Sequence, residues 1–176
     1  MIPSAEDKLL IAVRDRLRSQ LSLQDRHCQI EYDEVFPATS GDRFLVVSPG
    51  GVTPDRRHLT SGGVNALVYS VDVTAVRRLG RVPRDQRRDV FAFNLNSLND
   101  LLGKVYNAID WVYDVTAAAN AAMSLSSDGF VHPLVFNGVD AKPRTIASPD
   151  FASTGEGDVA LARTIRFSNA LFVTSK

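Results

Sequence analysis

The chain has 176 residues, of which 44% are hydrophobic and 23% are charged, a length and composition that suit one globular domain with a sizeable core. Its 20 lysines and arginines balance its 20 aspartates and glutamates, so the formal net charge is zero. This balance excludes a protein that is basic overall, and any affinity for nucleic acid would have to come from a local cluster of charge.

The first predicted element is an amphipathic helix over residues 4–21. Ser4 is suited to the N-cap, and the acidic residues that follow it, Glu6 and Asp7, suit the positive end of the helix dipole. Apolar side chains then recur at helical spacing, at Leu9, Leu10, Val13, Leu17 and Leu21.

Three strands are predicted next. Residues 28–36 alternate apolar and polar side chains up to Pro37, and residues 42–48 form a short β-branched run. Residues 64–76 form the longest strand, with apolar residues on one face and increasingly polar residues on the other. Between the second and third strands, residues 49–63 are rich in Gly, Pro and Thr and are predicted to form an extended, mobile loop.

A long helix is predicted over residues 96–123. Ser97 and Asp100 resemble a capping box, with Asp in place of Glu. The predicted apolar stripe of this helix consists of Leu98, Leu101, Leu102, Val105, Ile109, Val112 and Thr116.

Two strands close the chain. Residues 130–139 have strand character, and Pro133 places this strand at an edge or a bulge. Residues 140–158 are predicted to be a second long polar loop, and residues 162–175 a final strand. The resulting order predicts one α+β domain over residues 1–176, with a mainly antiparallel sheet and both the N-terminal and the long central helix packed on one face.

No pattern typical of catalysis or of metal binding occurs. The histidines (His27, His58 and His132) stand apart, Cys28 is the only cysteine, and there is neither a nucleophile elbow nor a phosphate-binding loop. No stretch approaches the roughly 18 apolar residues of a membrane span, and no signal-peptide pattern opens the chain. We therefore expect a non-enzymatic protein without cofactor, made in the cytoplasm and not embedded in a membrane.

The sharpest feature is a cluster of six arginines within residues 77–89, which also contain Asp85 and Asp89. The arginines are Arg77, Arg78, Arg81, Arg84, Arg87 and Arg88. The next segment, residues 90–139, is acidic, with four aspartates against Lys104. Those expected on the face of the long helix are Asp100, Asp110 and Asp114.

Three interpretations of the arginine cluster are open: a solvated turn between strand and helix, a nucleic-acid site, and a protein–protein contact. No aromatic stacking partner lies within residues 76–90, and Phe91 and Phe93 are interpreted as core or staple residues, which weakens the nucleic-acid interpretation. Arginine pairs bidentately with carboxylates and is enriched in interfaces, which favours a contact with another protein. Asp85 and Asp89 also suggest ion pairs within the segment.

The order of these segments resembles a known family. "ALVYSVDVTAV" leads into "RRLGRVPRDQRRDVF", "LNDLLGKVYNAI" follows, and "GDVALARTIRFSNALFV" closes the chain. This arrangement is similar to the tail-terminator and head-to-tail connector (neck) proteins of tailed bacteriophages, over about residues 5–174.

The resemblance implies a structural virion protein at the tail–neck junction that forms a hexameric ring, caps the tail tube and joins it to the head connector. An adjacent connector protein of the neck is the alternative. A ring that closes by rotation needs two different, complementary patches on each subunit. The arginine cluster and the acidic face of the long helix are the predicted patches. Arginines that faced the lumen instead would contact passing DNA.

Overall fold

The computed structural model describes residues 4–32, 42–54, 65–83, 85–109, 134–147 and 158–174. Their elements, in chain order, are helix α1 (Ala5–Leu21), a short 3-10 helix (Asp25–His27), strands β1 (Cys28–Ile30), β2 (Arg43–Pro54) and β3 (Asn65–Arg81), helix α2 (Arg87–Ile109), and strands β4 (Val135–Val139), β5 (Arg144–Ala147) and β6 (Asp158–Thr174). The strands form one mixed sheet in the order β1-β2-β3-β6-β4, with β5 also paired to β6. The predicted α+β class is confirmed.

Helix α1 forms as predicted. The Ser4 hydroxyl accepts a hydrogen bond from the Asp7 backbone N–H at 3.1 Å, and the Asp7 carboxylate accepts one from the Ser4 backbone N–H at 3.1 Å. This reciprocal pair is a capping box that satisfies two otherwise unpaired donors. The buried side chains are those of the apolar stripe, Leu9, Leu10, Val13 and Leu17. Ser22 ends the helix in the left-handed conformation.

Strand β2 continues beyond its predicted end, so the prediction of a loop starting at residue 49 is wrong for residues 49–54. Proline and glycine are rare inside strands, which is why the sequence suggested a loop there. A β-bulge between Pro49 and Gly51 accommodates the proline and the glycines. The pairing of β2 with β3 therefore continues to Pro54. Residues 55–63 of the predicted loop lie outside the described residues.

The edge strand β1 is shorter than predicted. It spans Cys28–Ile30 and pairs with β2 in parallel, whereas the other strand pairs are antiparallel. Residues 33–36 of the predicted strand lie outside the described residues. The sheet is therefore mixed, although mainly antiparallel as expected.

The longest ladder joins β3 to β6, each 17 residues long. Strand β3 continues to Arg81, past its predicted end at residue 76, because β6 starts at Asp158 and supplies partners for these additional residues. Register shifts after Tyr69 and after Arg78 keep the two long strands paired despite their twist.

Strands β4 and β5 follow one another along the free side of β6. Strand β4 lies at the edge of the sheet, as the proline before it suggested, although Pro133 itself lies outside the described residues. Strand β5 falls within residues 140–158, so the prediction of an uninterrupted loop there is wrong. The four residues of β5 are too few to give a strand pattern, and only their pairing with β6 fixes them.

Helix α2 begins at Arg87, well before the predicted start at residue 96. Ser97 is therefore not an N-cap, and its hydroxyl instead accepts a hydrogen bond from Arg43 at 3.4 Å. The predicted start followed the apolar stripe, whereas no side chain in the first turns of the helix is fully buried. The stripe itself is buried, at Leu98, Leu101, Leu102, Val105, Ala108 and Ile109. Residues 110–123 lie outside the described residues.

Both helices pack on the same face of the sheet, as predicted. They share one core with alternate residues of β3, Val71, Val73 and Ala75. The intervening residues of β3 point to the opposite face, where Val76 belongs to a second, smaller apolar cluster. That cluster contains no residue of α1 or α2; its members are Phe44, Val46, Val76, Ile146, Ala160 and Ala162.

Candidate subunit interface

The arginine cluster spans a strand, a tight connection and a helix. Arg77, Arg78 and Arg81 lie on β3, and Arg87 and Arg88 open α2. The interpretation of the whole cluster as a turn is therefore wrong, because β3 extends to Arg81 and α2 already begins at Arg87. Arg84 lies outside the described residues.

Strand alternation separates Arg77 from Arg78. On the helix-covered face, the Arg77 Nε donates a hydrogen bond to Asn94 Oδ1 at 3.3 Å. On the opposite face, the Arg78 guanidinium carbon lies 5.5 Å from the centre of the Phe44 ring, within the range of a cation–π contact. These two arginines therefore serve the fold of their own chain.

Arg43 is an additional arginine at this end of the molecule that the sequence did not single out. It pairs in register with Arg77 across β2 and β3, and it donates to Ser97 on α2. Its place in the cluster depends on the register of two strands, which the sequence alone could not reveal. Arg43 and Arg77 together fasten the first turns of α2 to the sheet.

Arg81, Arg87 and Arg88 are exposed. Within the described part of the chain, none of them forms an ion pair with Asp85 or Asp89, which does not support the predicted pairing inside the segment. These three side chains are available to a partner that carries acceptors.

Phe93 is 80% exposed, the largest exposed fraction among the large hydrophobic side chains that the structure describes. Its interpretation as a core or staple residue is wrong, because it lies on the outward side of α2. Phe91, two positions earlier, does pack against the core. The stretch from Arg87 to Ser97, in which side chains such as Phe91 are at most partly buried, is called here the exposed half of α2.

Of the three predicted acidic residues, the structure describes one. Asp100 lies on the outward side of α2 and pairs with Lys104 at 3.0 Å, both side chains being more than half exposed. Such an exposed pair contributes little to stability, about 0.5 kcal/mol, and can exchange for another partner. Asp110 and Asp114 lie outside the described residues.

A groove follows α2 on the side of the free sheet edge. Its volume is about 270 Å³, and we call it the α2 groove. Its apolar lining comprises Leu102, Gly103, Tyr106, Phe136, Val139 and Ile165. Tyr106 and Phe136 meet edge to face, with ring centres 5.4 Å apart, and Phe136 remains 42% exposed.

Arg163 ties α2 to the sheet beside the α2 groove. Its NH1 group donates to Asn99 Oδ1 at 2.7 Å, and its Nε donates to the backbone carbonyl of Asp140 at 2.9 Å. Both contacts are made from β6, so Arg163, which itself lines the groove, links α2 and the residue that follows β4 to the sheet.

The opposite face of the sheet carries a separate polar cluster. Arg166 pairs with Asp72 at 3.3 Å and with Asp140 at 2.7 Å, and the buried hydroxyls of Thr74 and Thr164 are 2.9 Å apart. The sequence indicated that this face of β3 is polar but could not show which residues of β6 lie beside it.

The other carboxylate oxygen of Asp72 is buried against the bulge of β2. Asp72 Oδ1 has no hydrogen-bond partner among the described residues, and a Cβ at Gly50 would lie 2.9 Å from it. Burial raises the pKa of Asp72, and the nearby Arg166 only partly opposes this effect. Gly50 thus leaves room both for this carboxylate and for the Ser70 backbone, which a Cβ at Gly50 would approach to 3.0 Å.

Neither a metal centre nor a reactive thiol is found among the described residues. Among them, no group of three or more His, Cys, Asp or Glu side chains is placed to hold a metal ion. Burial raises the pKa of the Cys28 thiol to about 12, which makes it a poor nucleophile. Within the same ranges, no helix combines the length and the apolarity needed to cross a membrane.

Comparison with protein-family models and with curated proteins found no match to the chain.

Proposed function

We propose that this chain is a structural virion protein of a tailed bacteriophage, resembling tail terminators, whose copies form a hexameric ring at the tail–neck junction. The ring caps the tail tube and joins it to the head connector, and its role is structural rather than enzymatic. The sequence resemblance motivates the proposal, and the α+β architecture with two helices on one sheet face is compatible with it.

The exposed half of α2 is the observation that carries the proposal. Phe93 projects into solvent between the exposed Arg88 and the exposed Asp100, while Asn94 and Phe91 hold the helix against the domain. Aromatic residues and arginine are enriched in protein interfaces, where they account for much of the binding energy. A helix that is rigidly held and carries such residues outward is suited to contact another subunit.

The separation of positive and negative charge on this surface also suits a ring. Arginines gather where β3 meets α2, whereas Asp100 lies further along the helix. Opposite charges at separate places on one subunit allow each copy to present two different patches, as a head-to-tail ring requires.

Light scattering coupled to size-exclusion chromatography tests the proposal on the full chain, alone and with purified tail-tube protein. We expect a ring, either free or only on the tube, and its loss in Phe93→Ser with the circular-dichroism spectrum unchanged. Ile11→Ser is the matched control, because Ile11 is also a hydrophobic residue exposed on a helix, at 37%.

A chain that stays monomeric at all concentrations, with and without tail-tube protein, contradicts the proposal. If the chain captured a head connector but not the tail tube, it would instead be the adjacent connector protein of the neck, the alternative role at the tail–neck junction.

Nucleic-acid binding is the second candidate, favoured by the exposed Arg81, Arg87 and Arg88 together with the exposed ring of Phe93, which could stack on a base. It predicts retardation of DNA in a gel, with an affinity that falls by about 0.9 log units per log unit of salt for each phosphate contacted on a duplex. The absence of retardation at low salt would exclude it.

A further inference from the structure

The α2 groove has the size and the lining to receive an aromatic side chain. Its volume is about 270 Å³, and its walls include the apolar side chains of Leu102, Tyr106, Phe136 and Val139 together with the polar ones of Asn99 and Arg163. Cavities of about 150 Å³ already accommodate benzene in other proteins. Phe136, which lines the groove, is 42% exposed, and an aromatic side chain that entered the groove would cover part of it.

Because Gly103 has no side chain, the groove is open to solvent at this position of α2. Gly103 lies within α2 at an ordinary helical conformation, and a Cβ built there would meet no atom within 4 Å. Glycine in a helix interior costs about 1 kcal/mol relative to alanine, so no advantage for the helix itself explains this residue. Its effect in the structure is to leave the groove accessible from the outward side of α2.

Charge also distinguishes the groove from the exposed half of α2. Asp100 lies one helical turn before Gly103; its carboxylate is more than half exposed and pairs with the similarly exposed Lys104 at 3.0 Å, a pair that another cation can replace. Phe93 follows Arg87 and Arg88 by less than two turns, and both arginines are exposed. A phenyl ring that entered the groove would bring the guanidinium groups of Arg87 and Arg88 towards Asp100, where they would replace Lys104 as its partner.

We propose that Phe93 of one copy inserts into the α2 groove of a second copy, with Arg87 and Arg88 directed to Asp100 of the receiving subunit. The partner is a second copy of this chain, and the contact is head to tail, because the inserted residue and the receiving groove are different surfaces. This inference rests on the proposed ring and specifies which two surfaces meet in it.

A pair of introduced cysteines tests the contact directly. In Phe93→Cys/Gly103→Cys, the two sites lie about 15 Å apart along one helix, beyond the roughly 7 Å between Cα atoms that a disulfide can bridge. Any disulfide between them therefore joins two chains. Cys28, the native cysteine, is buried and does not compete.

Mild oxidation of the assembled double variant should give a ladder of covalent oligomers on a non-reducing gel, ending at the size of the closed ring. Each single variant provides the control. Phe93→Cys alone and Gly103→Cys alone should give little dimer, because the proposal places neither residue against its own copy. A strong dimer from Phe93→Cys alone, or no ladder from the double variant, would overturn the head-to-tail contact.

Filling the groove gives a second test. Gly103→Leu should leave folding intact, because there is space at Cβ and leucine favours the helix. It should weaken self-association at least tenfold, whereas Asn107→Leu, one turn further along the exposed side, should not. A melting temperature that is unchanged or raised shows that the fold has been kept.

The outcomes separate this inference from the proposed function. If the unaltered chain forms no ring on tail tubes, the proposed function fails. If the ring forms and Phe93→Ser disrupts it while Gly103→Leu has no effect, the ring stands and the α2 groove is not the receiving surface.

Discussion

The two faces of the sheet are stabilised differently. On the helix-covered face, leucine and valine side chains from α1, α2 and alternate strand positions form one continuous apolar core. On the opposite face, a smaller apolar cluster adjoins the Thr74–Thr164 hydrogen bond and the ion pairs of Arg166. Apolar burial tolerates small adjustments of position, whereas the polar contacts depend on both partners being present. Substitutions on the two faces should therefore change the free energy of unfolding by different amounts, and their effects should differ in additivity.

The largest effect is expected on the helix-covered face. Leu17 is fully buried between α1 and the sheet, so Leu17→Ala should lower the free energy of unfolding by about 2–5 kcal/mol through lost burial and a residual cavity. Urea denaturation would measure it. Gln20→Ala on the exposed side of the same helix should change the value by less than about 0.5 kcal/mol. Equal effects of the two substitutions would contradict the assigned helix face.

An intermediate effect with a different signature is expected for the threonine pair. Thr74→Val alone should cost about 1–3 kcal/mol, because the buried Thr164 hydroxyl loses its partner. Replacing both threonines by valine preserves the shape and leaves no hydroxyl unpaired, so the double variant should be more stable than either single variant. A double-mutant cycle measures this coupling, and simple additivity would count against the hydrogen bond.

Asp72 should give a smaller effect that depends on pH. Because burial raises the pKa of Asp72 above its usual value, the folded chain holds the proton more tightly than the unfolded chain. The contribution of Asp72 to stability therefore falls as pH rises from the unfolded pKa through the folded pKa.

Asp72→Asn should remove this dependence and should be as stable as the unaltered protein at neutral pH, or more stable by up to about 1 kcal/mol, because Arg166 keeps Asp140. Unfolding curves between pH 3.5 and pH 7 would show this. A variant that is clearly less stable at neutral pH would mean that attraction to Arg166 outweighs burial.

The smallest effect is expected at Cys28, beneath α1 on the helix-covered face. Since burial raises its pKa to about 12, the thiol should not react with iodoacetamide at pH 8 in the folded protein and should react readily in urea. Mass spectrometry of the intact protein would count the adducts. Rapid labelling without denaturant would show that this part of the core opens easily.

The sequence predicted those parts of the fold that depend on local periodicity. The stripe from Leu9 to Leu17 and the stripe from Leu98 to Ile109 are both buried as expected, and the apolar face of β3 is covered by the helices. These patterns repeat within a single element, so no knowledge of the neighbouring elements is needed to recognise them.

Features that depend on distant partners were not predictable. Strand β5 exists through its pairing with β6, and β2 passes Pro49 because a bulge keeps it in register with β3. The arginine cluster was recognised, but the division of Arg77 and Arg78 between the two sheet faces requires β3 to continue past its predicted end at residue 76. The exposure of Phe93 was missed because an aromatic residue near an apolar stripe usually belongs to the core.

The central ladder has a consequence for how fast the chain folds. Arg81 pairs with Asp158 and Asn65 with Thr174, so every rung between β3 and β6 must close a loop that contains α2 and two strands. The β2–β3 hairpin, by contrast, joins neighbouring segments and can form early. Closing long loops costs entropy before any contact compensates for it, and non-local pairing is associated with folding in milliseconds to seconds. We expect the arrival of β6 to be the rate-limiting step, with the edge of β3 unprotected until then.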